Sequence, residues 1–127
     1  MTAADQLAQS MSEDQLLDAV IELAEWLGWL VDHPRPARTK AGWATPLRGH
    51  PGRPDLLLAH PSGRVITAEL KSEKGRLSEH QTAWDEALRR AAQRAAMTSG
   101  SPTIAFAHYV WRPADWINGS IREVLGR

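Results

Sequence analysis

The chain has 127 residues and no cysteine. Disulfide frameworks, thiolate zinc sites and cysteine nucleophiles are excluded together, and the absence agrees with a reducing cytoplasm. No apolar run is long enough to span a membrane. The opening Met1-Thr2-Ala3-Ala4-Asp5-Gln6 has neither the basic flank nor the apolar centre of a signal segment. A cytoplasmic protein without a membrane partner is the expectation. Net charge is also missing: 15 Lys and Arg balance 15 Asp and Glu. That excludes a uniformly basic nucleic-acid binder.

The charges are nevertheless divided. Residues 1–34 hold Asp5, Glu13, Asp14, Asp18, Glu22, Glu25 and Asp32 with no Lys or Arg. Residues 35–53 hold Arg35, Arg38, Lys40, Arg48 and Arg53 with no acid. Two readings fit: one positive edge on a neutral protein, or a solvated loop. Hydrophobic residues at 43% and charged residues at 24% are globular values, which argues against disorder. The length suits one domain over residues 1–127, with no internal repeat.

Residues 1–11 read as a flexible lead-in. Ser12 and Gln15 form a capping-box pattern, and Leu16, Leu17, Val20, Ile21, Ala24 and Leu27 recur at helical spacing up to Gly28. A helix over about 13–27 follows, then a short strand at Trp29-Leu30-Val31. Prolines and glycines crowd residues 34–54, predicting a long exposed loop. Asp55 to Ala59 and Arg64 to Lys71 read as strands joined by a turn at Pro61-Ser62-Gly63. Ser78 and Gln81 repeat the capping box and open a helix over about 79–97, with Trp84, Ala87, Leu88, Ala91 and Ala95 inward. Thr103 to Trp111 is strand-like, and Pro113 starts a short final helix. The expected fold is α/β, a mixed sheet flanked by helices in the order α-β-β-β-α-β-α.

Chemistry concentrates on the hairpin. Glu69 and Lys71 are two apart on a strand and share a face, while Leu70 turns away with Ala68 and Ile66. Asp55 opens the partner strand, so both carboxylates can meet at one end of the sheet. Two carboxylates and a backbone carbonyl are hard oxygen donors suited to Mg²⁺ or Mn²⁺. Such an ion acidifies water and neutralises a phosphate under attack. Lys71 beside it would orient or deprotonate water and stabilise the pentavalent phosphorus. Taken singly, each of these short patterns also occurs as ordinary surface structure.

On the first helix, 100° per residue sets Leu17, Val20 and Ala24 within about 40° of Glu13. Glu13 can serve as a third carboxylate or simply favour the helix dipole. The five histidines show no zinc-like spacing. Trp26, Trp84, Trp111 and Trp116 fall on apolar stripes and read as core or interface, whereas Trp43 in the basic stretch can stack on a base. Arg38, Lys40, Arg48, Arg53, Lys74 and Arg76 are the candidate phosphate contacts.

The ordered string Gly52-Arg53-Pro54-Asp55, Ala68-Glu69-Leu70-Lys71, Gly75-Arg76-Leu77-Ser78 and Gln81 resembles the PD-(D/E)XK nuclease superfamily, and within it the VRR-NUC branch. Gly28-Trp29, Val110-Trp111-Arg112-Pro113 and Asp115-Trp116 resemble small stand-alone members from phages and their hosts. The similarity spans roughly residues 12–125. The stretch from Arg94 to Ala107 departs from it, being longer and more alanine-rich than the usual glycine turn.

The resemblance implies a restriction-endonuclease-like core and a Mg²⁺- or Mn²⁺-dependent deoxyribonuclease. It implies Asp55, Glu69, the Leu70 backbone carbonyl and Glu13 as metal ligands, Lys71 as the catalytic lysine, and Gln81 beside the site. DNA is the implied partner, with no organic cofactor. A homodimer cutting junctions or flaps is the further expectation. The alternatives are a DNA-binding module that keeps the fold without catalysis, and an interaction protein whose Glu69 and Lys71 form a plain surface ion pair.

Overall fold

The carboxylate end of the hairpin lies on a four-stranded sheet in the computed structural model. The structure describes residues 1–34, 37–39, 42–44, 48–101 and 104–127, and only the backbone of the two three-residue stretches. The strands of this sheet are β1 (Leu30–Asp32), β4 (Leu56–His60), β5 (Arg64–Leu70) and β6 (Phe106–Trp111). A separate two-stranded ribbon pairs β2 (Ala37–Thr39) with β3 (Gly42–Ala44). Helices α1 (Ala3–Ser10), α2 (Glu13–Trp26), α3 (Glu79–Thr98), α4 (Pro113–Ile117) and α5 (Ser120–Leu125) complete the elements.

β1 and β4, and β4 and β5, pair antiparallel, whereas β5 and β6 run parallel with α3 as the crossover. The sheet is therefore mixed and flanked by helices, consistent with a restriction-endonuclease-like fold. Register follows from the tight turn. Gly63 N–H donates to His60 O at 2.9 Å, which sets His60 opposite Arg64 and Leu56 opposite Ala68.

Alternation along the strands separates two faces. Leu56, Leu58, Ile66, Ala68 and Leu70 are all at most 1% exposed. They pack with Leu16, Val20 and Ala24 of α2 and Ile121, Val124 and Leu125 of α5. α2 starts with the Ser12–Gln15 capping box. It ends in a Schellman arrangement: Gly28 (φ +91°) donates to Glu25 O and Trp29 N–H to Ala24 O. Trp29, thus turned inward, donates its indole N–H to Leu125 O, while Arg64 donates to Val124 O and stacks over the Trp29 ring. These bonds occupy carbonyls that the end of α5 leaves without helical partners.

Five expectations are corrected. The lead-in at residues 1–11 contains helix α1, because Thr2 and Asp5 close a capping box and Ala8 is buried. Within the long loop the backbone of residues 37–39 and 42–44 forms a β-ribbon. Helix α3 has no buried residue, and Ala87 and Ala91 are exposed. Trp84, Leu88 and Ala95 are half-buried as expected, in a stripe that also includes Gln81, Asp85 and Ala92. Alanines on both sides of this helix hid its true face. The last strand begins at Phe106, after Ile104 and Ala105, with Thr103 outside the described residues, and the final helix is split at Gly119 into α4 and α5.

Candidate active site

Asp55 stands immediately before β4, and the register that sets Leu56 opposite Ala68 brings it beside Glu69. Its Oδ2 accepts the Leu70 N–H at 2.8 Å, tying the start of one strand to the end of the next. Its backbone carbonyl accepts from His33 Nδ1 at 2.8 Å. Glu69 is 4% exposed and points to the α3 side, where Gln81 Nε2 donates to its Oε1 at 2.9 Å. Gln81 is positioned by Ser78, since the same side chain closes the capping box of α3.

The electrostatics reflect this crowding. Burial first, then the Asp55 charge and a hydrogen bond with Asp55, push the Glu69 carboxyl up to about 8, against a smaller downward pull from Lys71. Glu13 is also raised, chiefly by desolvation, with Lys71 pulling it down and Asp55 pushing it up. Glu13, Asp55, Glu69 and Lys71 thus interact electrostatically around one point. A cleft of about 550 Å³ opens there, lined by Glu13, Asp14, His33, Arg53, Asp55 and Gln81, among others.

Gly52 sets the wall of this cleft. It has φ +90°, and an added Cβ would come within 2.5 Å of the His80 carbonyl carbon and 2.7 Å of Gln81 N. Only glycine permits that approach to the first turn of α3. Trp84 holds the same contact from the helix side, its indole N–H donating to Pro51 O at 2.9 Å.

Acidic groups that repel one another, with one held protonated near neutrality, form a site that a cation would relieve. Among the described residues no three His, Cys, Asp or Glu side chains are grouped closely enough to hold a metal ion together. The carboxyl oxygens of Asp55 and Glu69 are hard donors, the ligand type that divalent cations of the hard class take. The donor set fits a hard divalent ion.

The basic residues are more dispersed. Arg48, Lys74 and Arg76 are exposed. Arg53 lies at the cleft but pairs with Asp32 at 3.2 Å. Lys40 and the side chains of Arg38 and Trp43 lie outside the described residues. Of the tryptophans on apolar stripes, Trp111 is buried and Trp26 is 85% exposed, while Trp84 and Trp116 are half-buried. Sequence reasoning missed His33, and it quoted Gly52 only within a motif string, without its packing role. The Pro51-Gly52 pair signals a turn, but nothing local marks its contact with α3.

One family model matches the chain, described as VRR-NUC domain, over residues 37–102. This protein belongs to the VRR-NUC family. The family is a branch of the PD-(D/E)XK-like nucleases, so the domain is of the nuclease type that acts on DNA. The VRR-NUC match takes in Asp55, Glu69, Lys71 and Gln81, and leaves Glu13 and the whole of β6 outside it. No curated protein and no solved structure matches the chain. Among the described residues, no helix is long and apolar enough to cross a membrane.

Proposed function

We propose that this VRR-NUC protein hydrolyses phosphodiester bonds of DNA in the cleft at Asp55, Glu69 and Lys71, with Mg²⁺ or Mn²⁺ as cofactor. The observation that carries the reading is the buried Glu69 carboxyl, pushed up to about 8 beside Asp55 with Lys71 in range. Asp55, Glu69 and the Leu70 carbonyl would hold the ion, with Glu13 on the wall of the same cleft. When bound, it supplies Lewis-acid polarisation of the phosphate and a more acidic water.

The chain's own groups do the remainder. Gln81 holds the Glu69 carboxylate in one orientation through its amide. The Leu70 N–H does the same for Asp55. Lys71 brings an ammonium to the attacked phosphate, orients the incoming water and offsets charge as the phosphorus becomes five-coordinate. Water oxygen bonds to phosphorus as the bond to the sugar oxygen breaks; the water's proton passes to solvent, and the departing sugar oxygen takes up a proton from solvent. Arg48, Arg53, Lys74 and Arg76 take flanking phosphates, joined by Arg38 and Lys40.

A domain of this size offers little surface to grip a branched duplex, so the same proposal has two copies acting on junctions or flaps. Sedimentation equilibrium at micromolar concentration should then give twice the chain mass of 14.1 kDa. The mass of one chain contradicts the pairing.

The activity is tested by incubating labelled linear, flapped and four-way DNA with Mn²⁺ and either wild type or Lys71→Ala. Cutting that requires both the ion and Lys71 is expected, with the branched substrates preferred. A folded protein that cuts none of them while still binding DNA would instead favour a non-catalytic binding module.

A further inference from the structure

β5 and β6 remain bonded one residue beyond the end of β5, where the Lys71 N–H donates to Trp111 O at 3.0 Å. There the ladder stops, and the next residue of the partner segment takes over with its side chain. Arg112 Nη1 donates to Ser72 O at 2.7 Å and to Gly75 O at 2.7 Å, with a longer contact to Glu73 O at 3.4 Å. Glu73 returns the contact, its Oε1 accepting the Ala114 N–H at 2.7 Å. The turn is further closed by Gly75 N–H donating to Ser72 O at 3.2 Å. Residues 72–75 are thereby fastened to the start of α4 by one guanidinium and one carboxylate.

The turn is also a neighbour of Lys71. A Cβ added at Gly75 would stand 2.9 Å from Ser72 Oγ and 3.5 Å from Lys71 Cδ. The lysine stem therefore runs beside the backbone that Arg112 holds. Charge-assisted hydrogen bonds of this kind are short and strong, and here several converge on one short turn. Arg112 is half-buried and has no part in the apolar core.

We infer that Arg112 is a positioning residue for Lys71, acting through the turn at residues 72–75. The inference rests on the nuclease reading above. Without the guanidinium the turn gains freedom, and the Lys71 ammonium loses its fixed place beside the reacting phosphate. Displacement of a catalytic group by about 1 Å costs up to about 100-fold in rate.

The test compares wild type, Arg112→Ala, Arg112→Lys and Lys71→Ala in Mn²⁺-dependent DNA cleavage, with amide hydrogen exchange on the same proteins. Arg112→Ala should lower kcat about 30- to 100-fold and leave KM within about twofold. Arg112→Lys, with a point charge instead of a fork, should fall between it and wild type. Guanidinium ion at tens of millimolar should restore at least about tenfold to Arg112→Ala and nothing to Lys71→Ala. Exchange at residues 73–76 should quicken about tenfold or more while β4 keeps its protection.

A cutting wild type whose Arg112→Ala variant retains full kcat, or loses activity only as the whole fold melts and without guanidinium rescue, overturns the inference alone. Unchanged exchange at residues 73–76 overturns it as well. A wild type that cuts no DNA removes the nuclease reading, and the inference with it.

Discussion

The two faces of the sheet are built from opposite materials. Toward α2 and α5 the strands present Leu56, Leu58, Ile66, Ala68 and Leu70, all at most 1% exposed. Toward α3 they present Thr67 and Glu69, together with His108, and the covering helix has no buried residue. There the contacts are polar. Gln81 donates to Glu69, and His108 bridges Thr67 and Asp85 at 2.8 and 3.0 Å. His108 is held below its usual value, mainly by burial, as fits a neutral ring that accepts from the Thr67 hydroxyl at Nδ1 and donates to Asp85 from Nε2. The difference teaches where stability and chemistry reside. One face excludes water and fixes the register; the other spends some of that stability on a desolvated carboxylate.

Breaking the polar face should show the largest effect, in activity. Lys71→Ala should lower DNA cleavage about 1000-fold or more, since a positioned charge at the attacked phosphate is worth several kcal/mol. Its melting temperature should stay within about 3 °C of wild type by differential scanning calorimetry. Breaking the apolar face should do the reverse. Leu58→Ala removes a fully buried side chain and should cost about 3 kcal/mol in urea unfolding, while cleavage measured well below the new melting point stays within about threefold of wild type.

The comparison sharpens with pH. Glu69 has a folded value of about 8 against an ordinary value of 4.5. Below 4.5 both states are protonated and the group is neutral to stability. Between 4.5 and 8 the unfolded chain releases the proton while the folded one retains it, so stability falls as pH rises and levels off above 8. Metal-free wild type should therefore lose stability from pH 5 to pH 8, and Glu69→Gln should lack that slope and melt about 5 °C higher at pH 8. On the same face, depressed His108 works at the acid end. The unfolded chain takes up a proton below the ordinary histidine value and the folded chain resists it, so stability is lost there as pH falls. His108→Gln should flatten that arm, read from urea unfolding at pH 5 and pH 7.

Much of this division was legible before any coordinates. The α2 stripe and the Pro61-Ser62-Gly63 turn fixed which residues face inward and which carboxylates meet, because local periodicity and turn length determine both. The same 100° rule set Glu13 on the core-facing stripe of α2, and the structure has it exposed, at the wall of the cleft. Asp14 lines it too, which the face assignment did not anticipate. α1 stayed hidden because its capping box uses Asp5 and only Ala8 of its residues is buried. The facing side of α3 was misread because alanine reports no preference between a polar interface and solvent. Arg112 was unreadable as a latch, since its acceptors lie 37 to 40 residues earlier and meet it only through the parallel pairing of β5 and β6. What sequence pattern misses here is side-chain reach across the fold.

The most direct measurement pairs melting temperature with Mn²⁺-dependent DNA cleavage in Glu69→Gln and Leu58→Ala at pH 8. The expected result is a crossed one: Glu69→Gln at least as stable as wild type and inactive, Leu58→Ala less stable and active. A Glu69→Gln protein that cuts DNA normally, or that melts earlier than wild type without metal, would contradict the assignment of chemistry to that face.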